Sequence, residues 1–122
     1  MKWASSISES DSVNTAVEEC AESIKGTIGN DPDLVFIFPS YNFTSRFVEI
    51  SNAVNQQFRN SIVIGCSGNG VIGSGQEVEQ RPGFAMCAAI MPDVTITPFH
   101  VSNSDLPDGD APPDKWSDML GV

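Results

Sequence analysis

Two stretches of this 122-residue chain carry apolar residues at spacings of four, three, four and four: Val13, Val17, Cys20, Ile24 and Ile28, then Phe43, Phe47, Ile50, Val54 and Phe58. Those spacings stack side chains on one face of an α-helix. Each stretch is flanked by segments of strand length: residues 3–7, a candidate short strand, before the first, and the apolar runs "LVFIF" (34–38) between them and "IVI" (62–64) after the second. The first half therefore reads β-α-β-α-β, an order whose crossovers give parallel strands in a helix-covered sheet.

Local signals sharpen the boundaries. Asp11 or Ser12 is placed to cap the first helix, with Cys20 a packing residue inside it, and Gly29 and Pro32 end it. The continuous run 34–38 predicts a strand covered on both faces. Asn42 is placed to cap the second helix. Further on, "FAMCAAIM" (84–91) and "VTITPFHV" (94–101) are separated only by Pro92 and Asp93, which suits a β-hairpin and makes the sheet mixed. Residues 102–114 turn to Asp, Pro, Ser and Gly, an exposed loop, and "PPDKWSDML" (112–120) begins a short helix with proline in its first turn. The expectation is an α/β domain over 1–101 and an acidic Pro/Gly-rich tail over 102–122.

Charge narrows the function classes. Sixteen acidic residues stand against six basic ones, a net charge of −10, and the basic residues are scattered singly. Nucleic-acid affinity rests on clustered Lys and Arg, so that class is excluded, and anionic membrane surfaces are disfavoured for the same reason. No apolar run approaches a membrane span, and the N-terminus carries no signal-like apolar segment, which points to a cytoplasmic protein. Cys20, Cys66 and Cys87 form neither a CxxC nor a Cys/His spacing, so free thiols are expected, with no metal site and no cofactor. Asn42-Phe43-Thr44 is a glycosylation sequon by formula only.

The chemistry-bearing stretch is "IVIGCSGNGVIGSGQEVE" (62–79). Gly68, Gly70 and Gly73 have the G-x-G-x-x-G spacing of a dinucleotide fingerprint, but the helix that should open at the loop is missing, and no Gly-Lys-Ser/Thr follows to make a P-loop. Cys66 or Ser67 could serve as a nucleophile with His100, the single histidine, as base, although nothing in the sequence brings them together. Glu77 and Glu79 share one face of an extended segment and could pair with a cation; Asp105, Asp108 and Asp110 do not follow the EF-hand order and read as a solvated loop. The glycines themselves leave two readings open. They let the chain reverse into an antiparallel ribbon, or they line a crevice for a small polar molecule at a strand's carboxyl end.

The segments "WASSIS", "DPDLVFIFPS" and above all "IVIGCSGNGVIGSGQEVE", with the apolar strand and "ITPFHV" that follow, resemble the N-terminal part of FIST domains. These are sensory modules of bacterial and archaeal signalling proteins that also accompany F-boxes in eukaryotic ligase subunits. The resemblance implies a ligand-sensing module, with small molecules such as amino acids as ligands, that signals to output domains; it does not imply an established catalytic activity, and a non-enzyme is expected. FIST modules continue into a C-terminal half, so the chain is expected to be an N-terminal portion, with Trp116, Met119 and Leu120 awaiting cover. The candidate ligand-binding residues are Gly65, Cys66, Ser67, Gly68, Asn69 and Gly70, through backbone N–H groups and the Ser67 and Asn69 side chains, with Glu77 and Glu79 as partners for a ligand ammonium. The alternatives are an interaction module without a ligand, and a hydrolase or transferase using Cys66 or Ser67.

Overall fold

Ser12 takes an extended backbone and its hydroxyl accepts the Thr15 N–H, which satisfies an orphan donor and starts helix α1 (Val13–Ile28). Gly29, at φ 87°, closes it in the left-handed region that glycine enters without strain. The computed structural model describes residues 1–29 and 31–121. All five members of the first apolar stripe are buried, and the Cys20 thiol donates to the Phe84 carbonyl at 3.5 Å.

Strands β1 (Lys2–Ser8), β2 (Leu34–Pro39) and β3 (Ile62–Gly65) alternate with α1 and with α2 (Phe47–Gln57), giving the expected β-α-β-α-β first half. β4 (Gly70–Gly73) and β5 (Gln76–Glu79) form a separate antiparallel hairpin, and β6 (Phe84–Ile90) returns to the main sheet. The main sheet runs β1-β6-β2-β3, with β6 antiparallel to both neighbours and β2 parallel to β3. The fold is α/β with a mixed sheet. One face, carrying Ala4, Met86, Ala88, Val35 and Ile37, packs with α1 and α2 into the core. On the other, Val71 and Val78 of the hairpin cover Ile7 and Ala85.

Three local expectations give way. The antiparallel hairpin is β4–β5, not 84–91 with 94–101: β6 already has β1 on one side and β2 on the other, so no vacant edge beside it can receive residues 94–101, which form no strand. Helix α2 starts at Phe47 with Arg46 at its N-cap, because Tyr41–Phe43 wind into a 3-10 turn (η1) and the Asn42 side-chain Oδ1 accepts the Ser40 hydroxyl instead of capping. Strand β2 is not covered on both faces, since both helices lie on one side of the sheet and the hairpin reaches only part of the other. Phe38 of β2, at 38% exposure, lies on that open side with Trp3 of β1, at 48%, and Ile64 of β3, at 47%.

The tail forms helix α3 (Pro113–Leu120), with proline in its first turn as read from the sequence, and Trp116, Met119 and Leu120 on it are half-buried. Among the described residues, no helix is long and apolar enough to cross a membrane.

Candidate functional site

Because β2 and β3 are parallel, the loops that leave their carboxyl ends emerge side by side, the usual place for ligands in open α/β sheets. Ser40 and Gly68 form a bridge between them, with the Gly68 N–H donating to the Pro39 carbonyl at 3.1 Å. Ser40 is fully buried. Its hydroxyl accepts the Gly83 N–H at 3.0 Å and its own N–H donates to the Gly83 carbonyl at 2.8 Å, so one serine ties the end of β2, the glycine loop and the approach to β6. Sequence reasoning passed over Ser40; its signal was a small polar residue directly after the carboxyl end of a buried strand.

The glycines divide between the two readings. Ser74 and Gly75, both at positive φ (50° and 76°), are the two-residue turn between β4 and β5, so part of the stretch is a hairpin and no helix follows the G-x-G-x-x-G string. Gly65 and Gly70 instead border concave surfaces.

Two clefts open at this end of the molecule. The first, about 400 Å³, lies between α2 and β3 and is lined by Phe47, Ile50, Ser51 and Asn55 on the helix side and by Val63, Gly65 and Cys66 on the strand side. Its floor is bare because Gly65 sits beside Ile37, where a Cβ would overlap the Ile37 carbonyl oxygen and Cγ1. The second, about 370 Å³, is lined by Tyr41, Asn69, Gly70, Glu79 and Gln80. Both volumes fall in the range of small-molecule sites.

Of the residues singled out from sequence, Asn69, Gly70 and Glu79 converge on the second cleft, and Gly65 and Cys66 on the first. Ser67 is exposed and lines neither. Gly68 is held in its bridge to Ser40, and Glu77, opposite Ile72 in the hairpin, stays exposed away from both clefts. Tyr41 and Gln80 were not foreseen; Tyr41 follows β2 in the same "PSYN" segment as Ser40, while nothing local marks Gln80 beyond its place after β5.

The titratable groups are arranged simply. Among the described residues Glu79 enters no ion pair; the pairs present are Arg46 with Glu49 and Arg81 with Glu9, at 2.9 and 2.8 Å. The Arg46 guanidinium grips both Glu49 carboxylate oxygens, which holds that carboxyl below its ordinary value. Cys66 is exposed at the rim of the first cleft, where no lining side chain is a histidine, a carboxylate or a cation. His100 lies outside both clefts and close to Asp105, whose carboxyl is held down first by the Ser102 hydroxyl and backbone N–H and to a smaller degree by His100. Among the described residues no group of three or more His, Cys, Asp or Glu is placed to hold a metal ion.

No curated protein matches this chain significantly. A family model does: that of the FIST N domain matches residues 33–110, from the start of β2 through both clefts and into the acidic tail. FIST domains are, as a family, sensory domains of signal-transduction proteins. With β2, the glycine loop, the hairpin and β6 all inside a match that spans more than half its length, the chain belongs to the FIST N domain family.

Proposed function

We propose that this protein is a sensory domain that binds a small amine-bearing molecule, of the amino-acid class, in the cleft of Tyr41, Asn69, Gly70, Glu79 and Gln80. The observation that carries the reading is the Glu79 carboxylate: it lines a cleft of about 370 Å³ and, among the described residues, has no cation of the protein beside it. A ligand ammonium would supply the missing charge. Tyr41 offers an aromatic ring and a hydroxyl, and the Asn69 and Gln80 amides offer donors and acceptors for the polar remainder of the ligand.

The cleft draws on three segments, after β2, after β3 and at the end of β5, that meet at Ser40 and in the hairpin. A ligand held by all three favours one arrangement of the glycine loop, and that population shift is the signal passed to a C-terminal FIST half or another output domain. The reading is non-enzymatic, supported by a first cleft whose lining brings no base to Cys66. Three free cysteines agree with a reducing, cytoplasmic setting. A second reading, an interaction module without a ligand, draws on the exposed Trp3 and Ile64 of the open sheet face.

A thermal-shift screen of the amino acids and of their decarboxylated amines tests the proposal. A ligand at about a hundred times its dissociation constant stabilises the native state by roughly 2.7 kcal/mol. The proposal stands if a stabilising amine loses its effect in Glu79→Gln, and it falls if no amine stabilises the protein or if Glu79→Gln responds as the parent does.

A further inference from the structure

Phe47 breaks the pattern of its helix. Phe43, Ile50, Val54 and Phe58 of the same stripe are buried, while Phe47 is 44% exposed and lines the cleft between α2 and β3. Its ring and the side chains of Ile37, Pro39, Ile50 and Val63 make apolar walls, and the absent side chain of Gly65 keeps the floor open. On α2, Ser51 and Asn55 stand one helical turn apart on the cleft, and among the described residues neither side chain is hydrogen-bonded to the protein.

No residue lining this cleft is charged. An anion would meet no cation there and would approach a chain of net charge −10; an ammonium would meet no carboxylate. A charged group taken out of water without a partner is strongly disfavoured, whereas an apolar body gains from the walls and one or two neutral polar groups can be satisfied by Ser51 and Asn55. The second cleft, with Glu79, has the opposite preference, and the two share no lining residue.

We propose that the cleft between α2 and β3 is a second binding site, selective for an uncharged ligand with an apolar body and a neutral hydrogen-bonding group. It is independent of the amine reading of the Glu79 cleft. Cys66, exposed on its rim, is a built-in reporter of occupancy.

The test uses two fluorescent probes of similar ring size, neutral N-phenylnaphthylamine and anionic anilinonaphthalene sulfonate. The neutral probe should bind saturably to one site and slow alkylation of Cys66 by N-ethylmaleimide, read by mass mapping of the labelled peptide. Phe47→Ala, which removes a half-exposed wall, and Ser51→Leu, which fills the cleft from an exposed position, should each weaken binding about tenfold. Glu79→Gln should leave it unchanged, and the sulfonate should bind much more weakly. The proposal is overturned if the neutral probe does not saturate, if the sulfonate binds as well, or if binding is lost in Trp3→Ala while Phe47→Ala and Ser51→Leu retain it. That last pattern would place the probe on the open sheet face.

Discussion

Gly70 and Glu79 face each other across the β4–β5 ladder so closely that a Cβ on Gly70 would stand 2.9 Å from Glu79 Cγ and 3.2 Å from its Oε1. The neighbour that must give way is the flexible end of a side chain, and the backbone at Gly70 is not in the left-handed region. Gly70→Ala should therefore fold, with stability within about 1 kcal/mol of the parent, while turning Glu79 out of its position. The measurable outcome is an amine affinity lowered by about tenfold at nearly constant Tm, read by calorimetry. Unchanged affinity in a folded Gly70→Ala would remove Glu79 from the site.

Gly65→Ala should behave in the opposite way. Here the obstructing atoms include the backbone oxygen of Ile37, the residue paired with Gly65 in the parallel β2–β3 ladder, and backbone cannot rotate aside. Urea unfolding should show a loss of about 3 kcal/mol, at the upper end of what overpacking costs. A loss well under 1 kcal/mol would mean that the edge strand shifts freely.

Ser40→Ala leaves the Gly83 N–H without the hydroxyl that accepts it in a fully buried setting. The expected cost is about 1–3 kcal/mol, the usual penalty for an orphaned buried donor. Because the lost hydroxyl is the acceptor of the Gly83 N–H, amide exchange at Gly83 should accelerate more than exchange in α1. Equal acceleration at both places would show that Ser40 contributes only to global stability.

The Cys20 thiol is pushed from 9.0 up to about 11, first by burial and in part by the Glu19 charge, with a Ser6 hydrogen bond opposing. Its folded value lies above its unfolded one, so the stability it contributes is complete below pH 9 and is lost as pH rises from 9 to about 11. The loss should approach about 3 kcal/mol. Cys20→Ala, although less stable at neutral pH for lack of packing, should show a flatter alkaline limb in a pH series of denaturation curves. At pH 8 a maleimide should label exposed Cys66 and leave Cys20 unreacted. An identical alkaline limb in parent and variant would contradict the shift.

Much of the molecule was legible in its residue order because it rests on near neighbours. The Val13 to Ile28 stripe, the Ser12 cap and the Gly29 stop depend on contacts within four residues, and the structure follows them. The same holds for the β-α-β-α-β order and for the proline-led helix at 113–120. The glycine stretch was recognisable as special, and it supplies Asn69 and Gly70 to one cleft and Gly65 and Cys66 to the other.

What sequence could not decide is which non-local partners each strand finds. Alternation along 94–101 marks a segment able to be a strand, but pairing needs a free edge, and β6 is enclosed between β1 and β2. Phe47 satisfies the helical period and still lines an open cleft, because Gly65 across from it has no side chain to cover the ring, while Ile50 three residues on is buried in the core. Glu77 and Glu79 are indistinguishable by spacing, yet only Glu79 meets Gly70 and Tyr41. Side-chain periodicity states which residues share a face. The tertiary structure alone decides what that face meets, since strand order and the convergence of three loops depend on contacts between residues far apart in the chain.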